Sequence, residues 1–193
     1  VGLMSVVFTP VGVRDILHLP LNEQTNRYVS LEEVLGREGK DMEEQMMNLS
    51  GFDERVEGLE SFLLGRLQGR NEFENNRMRM VMTRLLQCRG MFNVEQLASY
   101  ACLSRKQFER VFAAYVGLMP KQYLRVIRFL YAVEFRNRMP EVDLATLAFH
   151  TGYYDAAHLA NEIKALTGHT SSTLFQLMCF SEDAESIEWF LGA

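Results

Sequence analysis

The nineteen residues from Lys121 to Met139, KQYLRVIRFLYAVEFRNRM, constrain this chain more than any other stretch. They read as one helix. Pro120 suits a first helical turn, where its missing N–H costs nothing, and Pro140 closes the far end. From Tyr123 to Phe135, ten of thirteen residues are apolar or aromatic, interrupted only by Arg125, Arg128 and Glu134. A surface helix needs one apolar stripe, whereas a helix apolar on most sides must be covered on most sides. The segments on either side of it should therefore pack against it, and they prove to be two versions of one pattern.

Before it runs NVEQLASYACLSRKQFERVFAAYVGLMP. Asn93 is placed to cap a short helix that turns Val94, Leu97 and Ala98 inward. A turn follows at Ala101–Leu103, and Ser104 can cap a second helix with Phe108, Val111, Phe112 and Tyr115 on its buried face. Gly117 ends it. After Pro140 runs VDLATLAFHTGYYDAAHLANEIKALTGHTSSTLF. Here Asp143 caps a helix with Leu144, Leu147 and Ala148 inward, and Gly152 stands in the turn where the first copy has Cys102. Asp155 caps the second helix, with His158 or Leu159, Glu162 or Ile163, and Leu166 inward, and Gly168 ends it. Leu97 and Leu147 match at a spacing of 50, and Phe112 and Ile163 at 51, so the second turn holds one extra residue.

A short helix, a tight turn and a second helix with a polar, basic first turn make a helix-turn-helix. Two of them on one chain can serve one DNA duplex if their second helices reach successive major grooves, about 34 Å apart. The joining helix spans roughly 28 Å at 1.5 Å per residue, the right order once the flanking units are added. The expected fold is mainly α: two helix-turn-helix subdomains joined by a long central helix, preceded by a helical linker and a short N-terminal β/loop remnant.

Upstream, VGLMSVVFTP has the composition of a β-strand running into a turn. Loops and short helices are expected through Gly36, with Ser30 and Glu33 spaced as a capping box. Helical spacing of Met42, Met46 and Leu49 follows. Gly51 breaks it, and Asp53 is placed to cap a helix carrying Val56, Leu59, Phe62, Leu63 and Leu67. The polar stretch from Gly69 to Asn76 reads as a domain boundary. A helix from about Glu72 or Glu74 to Arg89 then presents Met78, Val81, Met82, Leu85 and Leu86 on one face and Arg77, Arg79, Arg84 and Arg89 on the other.

The net charge of −5 hides an uneven distribution. Residues 1–64 carry 5 basic and 12 acidic side chains, residues 65–178 carry 15 and 9, and residues 179–193 carry four acids and no base. A basic middle between acidic ends fits a polyanion-binding segment. With 193 residues, 48% of them apolar, the chain can bury one medium core or two small ones. It holds no stretch resembling a signal peptide and no apolar run near the roughly 20 residues of a membrane span. Cys88, Cys102 and Cys179 form no CxxC and read as buried free thiols of a reducing compartment.

From residue 74 to 178 the sequence resembles the DNA-binding domain of the AraC/XylS family of bacterial transcription regulators. LASYACLSRKQFERVFAAYVGLMPKQYLRVIRFLYAV follows the family pattern throughout, including Gly-x-x-Pro after the recognition helix. LAFHTGYYDAAHLANEIKALTGHTSSTLF is similar to the family's signature region in its Gly-Tyr, its Asp, its paired apolar positions, Lys164 and Gly168. It departs from the family at Ser171, where Pro is usual, and at Asn161, where Arg is frequent. The resemblance implies a domain plan of residues 1–68 as the end of an effector domain with linker helices, and 74–178 as the DNA-binding domain. Within the latter, the first unit covers about 93–117, the joining helix 121–139 and the second unit about 143–168. An acidic tail covers 179–193, with Trp189 and Phe190, and is expected to cover a core edge, with binding of a partner as the alternative. Such effector domains are longer, so the chain is expected to be truncated at its N-terminus.

The resemblance further implies that Lys106, Glu109 and Arg110 read bases. Lys106 or Arg110 suits guanine O6/N7, and Glu109 can accept from cytosine N4. On the second recognition helix the outward residues are Ala156, Ala157, His158, Ala160, Asn161 and Lys164. Asn161 can read adenine and Ala157 can touch a thymine methyl. His158 is a base-contact candidate, though a satisfied, partly buried histidine is the more frequent role for such a residue. Having no Arg, this helix is expected to contribute less affinity. Arg105, Lys121, Gln122, Lys164, Thr170, Ser171 and Ser172 are the candidates for phosphate contacts, with helix capping as the plain alternative for the hydroxyls. The implied partners are double-stranded DNA and RNA polymerase, together with a small-molecule effector and a second copy acting through the missing part; the implied location is cytoplasmic. No cofactor, metal site or membrane contact is expected. Without a Gly-rich phosphate loop, an HExxH or a nucleophile elbow, no enzyme is read. The rival to DNA binding is a helical module that binds another protein.

Overall fold

The computed structural model describes residues 4–18, 21–23, 28–67 and 72–178. Among them lie eleven α-helices and no strand. The expected N-terminal strand is not formed. Residues 4–9 are irregular, a single strand having no stability without a partner. Pro10 opens α1 (Pro10–Leu17) instead, and the Thr9 hydroxyl accepts from the Gly12 N–H. A 3₁₀ turn at Leu21–Glu23 precedes α2 (Leu31–Leu35), whose Ser30–Glu33 capping box forms as read. Then come α3 (Arg37–Asn48), α4 (Phe52–Arg66), α5 (Glu72–Gln87), α6 (Val94–Tyr100), α7 (Arg105–Val116), α8 (Pro120–Arg138), α9 (Leu144–His150), α10 (Ala156–Thr167) and α11 (Ser171–Met178). The acidic tail and Cys179 lie outside the described residues.

Two compact units are formed, one from Val1–Arg79 with Lys106–Met119, the other from Met80–Arg105 with Pro120–Ala193. In the first, Val11 and Ile16 of α1, Met42 of α3, Met78 of α5, and Phe108, Phe112 and Tyr115 of α7 are buried. Arg66 on α4 donates to the Ile16 carbonyl at 2.7 Å and pairs with Glu38 on α3. The cap of α4 is not Asp53 but Gly51, whose N–H donates to the Glu54 carboxylate at 3.3 Å, leaving Asp53 inside the first turn. The helix expected from about Glu72 or Glu74 does begin at Glu72, and Asn75 within it is buried because it finds polar partners there. α4 buries none of its apolar side chains fully, and Leu67 is 44% exposed.

In the second unit, α8 behaves as its composition requires. No residue from Tyr123 to Arg136 is fully exposed. One group of buried residues holds Ala132 of α8, Leu147 and Ala148 of α9, Tyr153, and Leu159 and Ile163 of α10; Phe129, Phe135, Leu174 and Phe175 pack against it. Each such fully buried aliphatic side chain stabilises the fold by about 1.5–3 kcal/mol. At the other end of α8, Gly90 lies so near the helix that a Cβ would come within 2.7 Å of the Leu124 carbonyl oxygen. Its φ of 71° also favours glycine, and the Arg128 side chain donates to its carbonyl at 2.9 Å.

Cysteine burial is a further correction. Cys88 is half-buried and Cys102 exposed, both as free thiols. Cys102 sits in a left-handed turn that aims its side chain away from the core.

Candidate nucleic-acid interface

The two repeats are matched bond for bond in their turns. In the first, the N–H groups of Ala101, Cys102 and Leu103 donate to the carbonyls of Leu97, Ser99 and Ala98. In the second, those of Thr151, Gly152 and Tyr153 donate to Leu147, Phe149 and Ala148, each fifty residues later. Cys102 and Gly152 both take positive φ, 54° and 75°. Four residues separate α6 from α7 and five separate α9 from α10, so the inserted residue is real. The Gly117 and Gly168 N–H groups close the second helices on Ala113 and Lys164, both at 2.9 Å.

Caps begin α6, α9 and α10 as the sequence indicates. Asn93 and Gln96 form a reciprocal box at α6. Asp143 accepts from the N–H groups of Ala145 and Thr146 and from the Thr146 hydroxyl at α9. Those Thr146 bonds, backbone first, hold the Asp143 carboxyl below the usual carboxylate range. Asp155 accepts from the His158 N–H at 2.7 Å and starts α10.

On α7, Phe108 and Phe112 are fully buried with ring centroids 5.4 Å apart. Val111, read as inward, is half-buried. Lys106 and Arg110 are exposed, Glu109 is half-buried, and all three occupy one side of the helix at i, i+3 and i+4. Arg105 is exposed and pairs with Glu95. On α10, the inward choices are Leu159 and Ile163, at 0% and 1% exposure. Ala157, His158, Asn161 and Lys164 are exposed; Ala156 and Ala160 are half-buried. The His158 ring accepts from the Tyr154 N–H through Nδ1 at 3.3 Å and meets Tyr153 edge-on at 5.4 Å. It is thus held in place while facing solvent. Lys121 and Gln122 are exposed in the first turn of α8, and Ser172 is exposed in that of α11. Ser171 is half-buried. Thr170 is a cap, accepting from the Thr173 N–H at 3.2 Å.

Three features carry little or no signal in the sequence. Tyr154, 92% exposed, stands just ahead of α10 and adds an aromatic to its solvent-facing end. Arg125 of α8 grips Glu162 of α10 through two bonds, Nε to Oε2 at 2.8 Å and Nη2 to Oε1 at 3.1 Å. That bond holds the Arg125 guanidinium charged even more firmly than usual. The pair also keeps the one carboxylate of α10 engaged with α8. Its only signal was a charge inside an otherwise apolar helix. The third feature is a polar network around Asp15 on α1, for which the sequence holds no signal.

Comparison with known proteins agrees with this geometry. Residues 97–176 match the family described as a helix-turn-helix domain. An uncharacterized HTH-type transcriptional regulator of Haemophilus influenzae is 30% identical over 80 residues, 42% of this chain and 26% of that protein. The matched part of the chain thus spans about a quarter of that relative's length. No solved structure matches significantly. Over residues 97–176, about two fifths of its length, the chain is similar to helix-turn-helix domains. No helix among the described residues is long and apolar enough to cross a membrane.

Proposed function

We propose that the chain is a sequence-specific DNA-binding transcription regulator that inserts α7 and α10 into successive major grooves of one duplex. The observation that carries this reading is the repeated turn. The same three hydrogen bonds and the same left-handed residue twice introduce a helix with an apolar inner face and a polar outer one. The match over residues 97–176 supports it, since it spans both copies from Leu97 in α6 to Gln176 in α11. Lys106, Glu109 and Arg110 are the readers on α7, and Asn161, with Ala157 beside it, on α10. His158 orders the start of α10 through Tyr154 and Tyr153. Lys121, Lys164 and Ser172 face the phosphates. With two cations on the outer face of α7 and one on that of α10, the first helix supplies most of the affinity.

The test is fluorescence anisotropy of the full chain against duplexes from a randomised pool, over a salt series. Specific binding falls steeply as salt rises, because each phosphate contact releases counterions. Arg110→Ala weakens it by about 1–3 kcal/mol and relaxes the preference at one base pair. Affinity no better than that of a neutral control protein would overturn the reading, and binding insensitive to salt would point to a protein-binding module.

A further inference from the structure

Asp15 of α1 is 3% exposed and is the one buried charged residue among the described residues. One carboxylate oxygen accepts from Asn75 Nδ2 at 2.6 Å, and the other pairs with Arg79. The amide oxygen of Asn75 accepts in turn from the Tyr115 hydroxyl, at 2.7 Å, in the last turn of α7. The neighbouring Arg14 donates to the Ala114 carbonyl at 3.3 Å and lies over the Tyr115 ring, 4.4 Å from its centroid. Ala114 is among the last four residues of α7, whose carbonyls have no partner within the helix, and a cation there also opposes the helix dipole. Two adjacent residues of α1 therefore hold the far end of α7 by its side chain and by its backbone. Burial raises the Tyr115 hydroxyl above its ordinary pKa, so it remains a donor. A fully satisfied buried network of this kind selects one arrangement over others. α10 is held differently, by Arg125 of α8.

We propose that Arg14 and Asp15 are positioning residues for the first recognition helix, and that they make α7, but not α10, answerable to the segment preceding the helix-turn-helix domain. Both lie well ahead of residue 97, where the family match begins. The proposal rests on the reading of α7 and α10 as two DNA-reading helices. A change that lifts α1 would loosen one reading helix and leave the other in place.

The decisive variants are made in the full chain. Asp15→Asn keeps the shape but turns an amide N–H toward a donor. Adding Asn75→Asp restores complementarity. The amide introduced at position 15 then donates to the carboxylate introduced at position 75, Arg79 donates to the oxygen of that amide, and Tyr115 keeps its acceptor. Amide hydrogen exchange is followed at Ala114–Val116 and at Glu162–Leu166, together with affinity for a duplex enriched by the unmodified chain. In Asp15→Asn the α7 amides exchange about tenfold faster and the α10 amides are unchanged. Affinity falls about fivefold, and the double variant recovers both. Tyr115→Phe, which removes only the hydroxyl, gives the same pattern more weakly and serves if Asp15→Asn does not fold. Faster exchange in α7 and α10 together would reduce the network to ordinary stability and overturn the proposal; so would unchanged binding. If the unmodified chain enriches no duplex, the DNA-binding reading fails and this proposal with it. Enrichment with an unresponsive α7 overturns this proposal alone.

Discussion

Cys102 and Gly152 occupy the same left-handed backbone position in two turns fifty residues apart, at φ 54° and 75°. Only the second is a residue that adopts this conformation without cost. A side-chain-bearing residue there is strained by about 1–2 kcal/mol. Cys102→Gly should therefore raise stability, by up to about 1 kcal/mol after the larger entropy of an unfolded glycine is deducted. Gly152→Ala should lower it by about 1–2 kcal/mol, because its Cβ takes the strained φ. That Cβ would also stand 3.2 Å from Met91 Cγ. Urea unfolding of both variants checks the pair; equal effects of one sign would show that the turns are not equivalent.

Tyr153 buries its hydroxyl with no protein hydrogen-bond partner among the described residues, and the Arg128 guanidinium lies over its ring. Burial pushes its pKa up to about 12. A raised folded-state value means that the protonated hydroxyl favours the fold. Its contribution is complete below the ordinary value of 10.0 and is lost as the pH climbs through about 12. Tyr153→Phe should be at least as stable at neutral pH, by about 1 kcal/mol, since an unpaired buried hydroxyl is removed. It should also lose part of the alkaline decline in Tm. A clear loss of stability at pH 7 would show that the hydroxyl has a partner.

Asp143 tests the opposite limb. Its carboxyl is held below the ordinary range by Thr146, so the charged form favours the fold. This contribution is present above the unfolded-state value of about 3.9 and fades as the pH falls through the lower folded one. Asp143→Asn keeps a capping oxygen but does not titrate. Its Tm should fall less than that of the unmodified chain between pH 5 and the acid transition, and identical slopes would contradict this assignment.

Much of this arrangement was legible because periodicity and punctuation are local. Pro120, Pro140, Asn93, Asp143, Asp155 and the closing glycines mark helix ends through single hydrogen bonds or fixed φ, and each did so here. Spacings of 50 and 51 carried the repeat. What failed depended on partners distant in sequence. The N-terminal apolar run looked like a strand, but strand structure is a property of a pair. The burial of Asn75 was not legible because Asp15 and Tyr115, which make it possible, are 60 and 40 residues away. Asp53 lost its place to Gly51 because a neighbouring Glu54 satisfied the end N–H first. On the candidate interface, exposure of Lys106, Arg110, Asn161 and Lys164 followed from helical phase, while the engagement of Glu162 by Arg125 required knowing which face of α10 meets α8.

The central claim, two reading helices on one duplex, is tested most directly by hydroxyl-radical and base-methylation footprinting of the full chain on the sequence it enriches from a random pool. Two protected major-groove patches are expected on one face, about one helical turn of roughly 34 Å apart. Arg110→Ala should weaken one patch and Asn161→Ala the other. A single patch affected by both substitutions, or protection without sequence preference, would contradict it.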